Sequence, residues 1–152
     1  MSEITHLMID GTAKTPSVDF NNLSGDLILS GKSIPENAAK IYEPLLQWVT
    51  EYAKSPRPTT NFRLNLEYFN TSSYIWFSKI IKALCKITVE DYMLYIHKYF
   101  DIEDFEEMDI EEMKDFALPL VDNIGHTSIS IVVKAYGIDS NGKIVKESMI
   151  LV

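Results

Sequence analysis

The hydrophobic period changes within residues 62–85, and this change constrains the fold more than any other feature of the sequence. Up to Tyr68, apolar residues alternate with polar ones such as Arg63 and Glu67, which predicts a strand with one face on a core. After Ser73 the spacing becomes helical. The apolar helix face consists of Tyr74, Phe77, Ile81, Leu84 and Cys85, and the opposite face carries Lys79, Lys82 and Lys86. The pattern therefore predicts a strand, a hydroxyl-rich turn and a helix.

The turn between these two elements reads Asn70-Thr71-Ser72-Ser73. At a helix N-terminus, unpaired backbone N–H groups favour an oxygen acceptor, so any of these four side chains could be the N-cap. A second interpretation is that one hydroxyl accepts a phosphoryl group, because helix N-termini favour anions. Spacing alone leaves both interpretations open.

Two further elements precede this stretch. Residues 4–30 are rich in strand-forming residues, and residues 17–20 and 27–30 predict a hairpin. Ser33, with Pro35 and Glu36 after it, predicts a capping box at the start of a helix. This helix should bend at Pro44 and bury Ala38, Ile41, Leu45, Trp48 and Tyr52. A strand, a helix and a strand at this spacing predict a βαβ crossover with a parallel strand pair.

Three segments follow the helix that is predicted after Ser73. Aromatic and branched residues at 92–100 favour a strand. Residues 101–115 contain nine carboxylates and one lysine, and Ile102, Phe105, Met113 and Phe116 predict a single acidic amphipathic helix. Residues 128–138 and 143–152 flank Asp139-Ser140-Asn141-Gly142, which predicts a second hairpin that joins the sheet. The chain is therefore expected to be one α/β domain with a mixed β-sheet and helices.

Charge and cysteine content exclude several classes of protein. A net charge of −8 disfavours nucleic acid and acidic membrane surfaces, since phosphate binding needs clustered Lys and Arg. No window holds eighteen uninterrupted apolar residues, and no basic segment precedes an apolar one near the start, so we expect neither a membrane span nor secretion. Cys85 is the only cysteine, which fits a cytoplasmic protein.

The residues that commonly carry catalysis show no recognisable arrangement. His6, His97 and His126 are scattered, and the sequence has neither a phosphate-binding glycine loop nor a nucleophile elbow. We therefore expect no enzyme, metal or cofactor. One alternative stays open, a small-molecule or divalent-cation-binding domain with hydrolytic activity. It would use the hydroxyl-rich turn and Glu67, with the acidic helix recruiting the cation.

Three segments together carry a family resemblance. They are Ile9-Asp10-Gly11-Thr12 with Thr15-Pro16, then Gly31 with Ile34-Pro35-Glu36-Asn37 and the Trp48 helix, and finally Tyr68-Phe69-Asn70-Thr71-Ser72-Ser73. In this order and spacing the chain resembles the SiaC family of bacterial regulatory phosphoproteins, which are similar to the STAS domain of anti-sigma factor antagonists. The resemblance covers about residues 7–120. It implies a STAS-like regulatory domain at residues 1–121, with residues 122–152 as a hairpin extension of the same domain.

The resemblance also implies a partner switch in c-di-GMP signalling. A kinase with a histidine-kinase-like ATPase fold would phosphorylate Thr71, and a PP2C-type phosphatase would remove the phosphate. The unmodified protein would bind and activate a diguanylate cyclase, with partner contacts at Tyr68, Asn70, Thr71, Ser72 and Ser73. No basic residue lies near this turn in the sequence. A partner packed over a phosphorylated turn would therefore have to desolvate a dianion.

Overall fold

One mixed sheet organises the molecule. The computed structural model describes residues 4–122 and 124–151, so residues 1–3, 123 and 152 of the predicted segments lie outside it. The strands are β1 (Leu7–Ile9), β2 (Ser17–Asn21), β3 (Asp26–Ser33), β4 (Thr59–Phe69), β5 (Met93–Asp101), β6 (Ser130–Ile138) and β7 (Ile144–Leu151). Their order in the sheet is their order in the chain. The strands from β3 to β6 run parallel, and the pairs β1–β2, β2–β3 and β6–β7 are antiparallel.

The helices pack on one face of this sheet. They are α1 (Ala38–Tyr52), α2 (Thr71–Leu84), α3 (Ile102–Glu107) and α4 (Ile110–Val121). Strand register places Phe20, Phe62 and Phe100 on the same face. These three rings contact Trp48 of α1, Phe77 of α2 and Phe116 of α4, respectively. Because α1 and α4 both pack against α2, α2 is the central helix of its layer.

Much of the predicted architecture is confirmed. The chain has a mixed α/β fold, and the strand, turn and helix at residues 62–85 correspond to β4, the turn and α2. The hairpin of β2 and β3, the β3–α1–β4 crossover and the strand β5 also occur where the sequence predicts them. In the part of the chain that is described, no helix has the length and apolar character needed to cross a bilayer.

The predicted start of α1 is wrong. Asn37 is the N-cap, and its side chain accepts a hydrogen bond from Lys40 N at 3.3 Å. Ser33 is instead the last residue of β3 and is fully buried, because β3 continues to pair with β4 as far as Phe69. The buried helix face is Ala38, Tyr42, Leu45, Val49 and Tyr52. The predicted core positions Ile41 and Trp48 are only partly buried at its border.

The predicted single acidic helix is also wrong, because the segment forms two helices, α3 and α4. Asp101 caps α3 by accepting from Glu103 N at 2.9 Å, and Asp109 caps α4 by accepting from Glu112 N at 2.9 Å. Asp109 has an extended backbone, so the helical path stops there and starts again. Two carboxylates of the segment are therefore helix caps.

The C-terminal hairpin joins the sheet, as predicted. β6 pairs with β5 along its whole length, and β7 forms the edge. Asp139 shapes the turn, since its carboxylate accepts from Asn141 N at 2.9 Å and from Lys143 N at 3.0 Å. β6 is thus an interior strand of the sheet. The domain boundary between residues 121 and 122 stays a prediction.

Candidate functional site

The turn between β4 and α2 separates its polar side chains into buried and exposed groups. Ser73 has no exposed surface, Asn70 is half-buried, and Thr71 and Ser72 are exposed. Tyr68, at the end of β4, is 64% exposed. Four of the five residues that the sequence predicted as a partner surface therefore reach solvent, and Ser73 does not.

Asn70 is the N-cap of α2. Its Oδ1 accepts from Ser73 N at 2.9 Å and from Ser72 Oγ at 3.1 Å. Thr71 is then the first helical residue, and its hydroxyl forms no hydrogen bond within residues 4–122 and 124–151. Of the three hydroxyls in the turn, only that of Thr71 is both exposed and unengaged in this part of the chain.

Ser33 anchors the turn from the neighbouring strand β3. Its carbonyl oxygen accepts from Asn70 N at 3.0 Å and from Ser73 Oγ at 2.9 Å. The Ser33 hydroxyl lies 2.8 Å from that of Ser73 and is hydrogen-bonded to Tyr42 Oη of α1. Burial raises the pKa of Tyr42 to about 12, so this phenol stays neutral at physiological pH. The turn is therefore rigidly held by β3 and α1.

Tyr68 faces solvent, although strand alternation predicted that it would face the core. The register between β3 and β4 shifts after Gly31, so Glu67 has no counterpart on β3. This bulge reverses the faces of the residues that follow it. Phe69 consequently turns inward, where its ring lies 5.6 Å from that of Phe77.

The fold brings basic groups to the end of β4 that are distant in the sequence. Lys32 pairs with Tyr68 across β3 and β4, and its Nζ lies 5.6 Å from the centre of the Tyr68 ring. Lys98 of β5 is buried and donates to Leu66 O at 2.9 Å and to Tyr99 O at 3.0 Å. Burial lowers the pKa of Lys98 to about 8. The sequence shows no basic residue near the turn, but the fold places Lys32 beside Tyr68 and Lys98 at the end of β4.

Glu67 belongs to a different environment from the exposed hydroxyls. It lines a cleft of about 570 Å³ together with Lys98, Asp101, Glu103 and Asp104, whereas Thr71 and Ser72 do not line that cleft. Among the residues described, no group of three or more His, Cys, Asp or Glu side chains could hold a metal ion. The structure therefore separates Glu67 from the exposed hydroxyl groups of Thr71 and Ser72.

A protein-family model matches most of the chain, including the turn. The model of the SiaC family regulatory phosphoproteins matches residues 9–125. The chain belongs to the SiaC family. The matched residues include the whole turn and end before β6 begins.

Similar proteins come from Pseudomonas aeruginosa. A protein from strain UCBPP-PA14 is 31% identical over 70 residues, which are 46% of this chain and 56% of that relative. The chain therefore spans about half the length of the curated relative it matches. The structure of apo-SiaC is 22% identical, with a TM-score of 0.65 over 84% of this chain and 98% of SiaC. A structure of the diguanylate cyclase SiaD in complex with its activator SiaC matches at 22% identity and a TM-score of 0.63, over 86% and 99% of the two chains. At these identities, the likeness of this SiaC-family chain to the solved structures shows the fold.

Proposed function

We propose that this SiaC-family protein is a partner switch that binds and activates a diguanylate cyclase when Thr71 is unmodified and releases it when Thr71 is phosphorylated. One observation carries this proposal. Thr71 is exposed at the first position of α2, and its hydroxyl is unengaged within the described residues, while Ser72 and Ser73 bond to Asn70 or Ser33. A kinase can therefore reach Thr71 without breaking the turn.

The fold should tolerate this modification. A phosphate adds a charge of about −1.5 to −2 near the positive end of the α2 dipole. The cap is Asn70, so phosphorylation of Thr71 removes no capping hydrogen bond. The same charge would oppose a partner that packs on Tyr68, Asn70, Thr71 and Ser72. We assign Ser73 the role of holding the turn, because it is buried.

The solved complex of SiaD with its activator SiaC supports a diguanylate cyclase as the partner, and membership in a family of regulatory phosphoproteins supports control by phosphorylation. The protein would act in c-di-GMP signalling in the cytoplasm, without catalytic activity of its own. A kinase with a histidine-kinase-like ATPase fold would add the phosphate, and a PP2C-type phosphatase would remove it.

Mass spectrometry of the protein from its host tests the switch. We expect one added phosphate, mapped to Thr71, that is absent from a Thr71→Ala variant and retained in the matched control Ser72→Ala. The unmodified protein should bind the cyclase with which it co-purifies, and the phosphorylated protein should bind it more weakly. Equal affinity of both forms, or a phosphate mapped to Ser72, would show that Thr71 is not the switch.

A further inference from the structure

In the described part of the chain, the outer surface of α2 is exposed, and neighbouring helices pack only on its two flanks. α1 packs on one side, where the rings of Tyr42 and Phe77 lie 5.8 Å apart. α4 packs on another, where Tyr74 Oη donates to Phe116 O at 2.5 Å. The remaining surface, which we term the α2 ridge, consists of Thr71, Ile75, Lys79 and Lys82 of the helix and of Lys86 just beyond its end, all of which are exposed.

The middle of the α2 ridge is apolar. Ile75 is 51% exposed, and the half-buried Trp76 lies beside it. Trp76 stacks on Tyr42 with ring centres 6.2 Å apart, so its position is fixed by α1. Lys79 Nζ lies 4.2 Å from the centre of the Trp76 ring, which joins the apolar part of the ridge to its basic part.

The far end of the α2 ridge is basic. Lys82 and Lys86 line a pocket of about 330 Å³ together with His126, Thr88 and Thr127. α2 contains no acidic residue. Within the part of the chain that is described, Lys79, Lys82 and Lys86 form no ion pair with a carboxylate. Three neighbouring lysines that form no ion pair with a described carboxylate are unexpected in a chain with a net charge of −8.

We infer that the α2 ridge docks an acidic segment of the partner, with an apolar side chain on Ile75 and Trp76 and carboxylates on the lysines. This inference rests on the proposed function and names the chemistry of the partner. Carboxylates complement the three lysines, whereas the overall negative charge of the chain disfavours nucleic acid on the same surface. Thr71 lies at one end of the ridge. A phosphate there places negative charge on a surface that receives a negative partner, which accounts for release.

Charge reversal tests the α2 ridge. The ridge variant combines Lys79→Glu, Lys82→Glu and Lys86→Glu, and a second variant replaces the same lysines with Arg. The control combines Lys40→Glu, Lys54→Glu and Lys143→Glu, which change the net charge equally at exposed positions away from the ridge. The probe is the diguanylate cyclase that co-purifies with the wild-type chain, titrated by calorimetry at low and high salt. Melting curves establish that each variant is folded.

We expect the ridge variant to bind the cyclase about tenfold more weakly or worse at low salt, as three solvent-exposed ion pairs predict. The Arg variant and the control should stay within about twofold of wild type, and salt should weaken wild-type binding more than that of the ridge variant. If phosphorylation weakens binding and the ridge variant binds like wild type, the inference is wrong and the proposed function stands. If the wild type binds no diguanylate cyclase, the proposed function fails and the inference fails with it.

Discussion

At the scale of single residues, Asn70 and Thr71 divide two tasks between neighbouring side chains. Asn70 satisfies the backbone at the start of α2, and Thr71 leaves its hydroxyl in solvent. A threonine that capped the helix would lose that hydrogen bond on phosphorylation, with a cost to the fold. Because the cap is a separate residue, the charge of Thr71 can change while the helix start stays the same.

This division predicts different stabilities for two alanine variants. Asn70→Ala should lower the free energy of unfolding by about 1 kcal/mol, because it removes the cap of α2. Thr71→Ala should change it by less than about 0.5 kcal/mol, as is usual for a surface substitution. Urea unfolding of both variants measures the difference. A greater loss for Thr71→Ala than for Asn70→Ala would contradict the assignment of the cap.

The sequence predicts that one of residues 70–73 caps the helix but does not identify which one. That choice depends on Ser33, which lies 40 residues before Ser73 and holds it in the interior. The same long-range contact explains why Ser33 does not cap α1, despite its favourable local sequence. The local sequence shows which polar side chains the site contains. Which of them is buried, which caps the helix and which is free is determined only when β3 and β4 pair.

A second residue-scale feature is His97, on the sheet face opposite the helices. Its Nδ1 lies 2.7 Å from Tyr136 Oη, and its Nε2 lies 2.8 Å from Asn61 Oδ1. Burial, followed by the positive charges of Arg63 and Lys134, lowers the pKa of His97 to about 3. His97 is therefore neutral in the folded protein at physiological pH.

His97 should make stability depend on pH in the acidic range. Because its pKa is lower in the folded state than the ordinary value of 6.5, its contribution is complete above pH 6.5. As pH falls from 6.5 toward 3, the unfolded chain gains a proton that the folded chain does not, and stability decreases by up to about 1.4 kcal/mol per pH unit. Urea unfolding at pH 7.5, 6, 5 and 4.5 should show a shallower decrease for His97→Gln than for wild type. Parallel curves would show that His97 does not titrate as assigned.

At the scale of secondary structure, the bulge in β4 determines which side chains at the end of this strand face solvent. Alternation correctly predicts that Phe62, Leu64 and Leu66 are buried. It fails at Tyr68, because one unmatched residue on β4 reverses the faces. A bulge depends on how two strands pair, so the sequence of one strand does not reveal it. The sequence likewise does not reveal that the acidic segment divides at Asp109, because the apolar stripe continues through both helices.

The contact between α3 and β6 gives a prediction at this scale. A Cβ atom at Gly137 would lie 2.7 Å from Ile102 Cδ1 and 3.0 Å from Phe105 Cγ, so α3 packs directly on the β6 backbone. Gly137→Ala should therefore lower the free energy of unfolding by about 1–3 kcal/mol. Adding Ile102→Val removes the nearest atom and should restore part of the loss, as thermal denaturation would measure. No loss in the single variant would contradict this close approach.

At the scale of the whole molecule, β6 and β7 complete the sheet. β6 buries Ile131, Val133 and Ala135 in the same core as the residues of β4 and β5. The sequence predicts this hairpin from its turn and its alternation. It does not predict the order of all seven described strands, because the pairing of β3, β4, β5 and β6 depends on crossovers rather than on local turns.

Truncation tests this interior position. A chain that ends at residue 125 would expose the side of β5 that pairs with β6 and would lose the buried residues of β6. We expect it to lack cooperative unfolding, as followed by circular dichroism. A chain that ends at residue 139 keeps β6 and should stay folded with reduced stability, since it loses only the edge strand. If the chain that ends at residue 125 were as stable as wild type, the fold would not depend on the hairpin.

The sequential strand order also determines how the protein can form during synthesis. Each strand pairs with the strand made just before it, so no strand has to wait for a distant partner and the sheet can grow in the order of translation. β3, α1, β4 and α2, which together build the turn around Thr71, are complete once Leu84 has been made. The turn around Thr71 can thus adopt its shape before the final hairpin has left the ribosome.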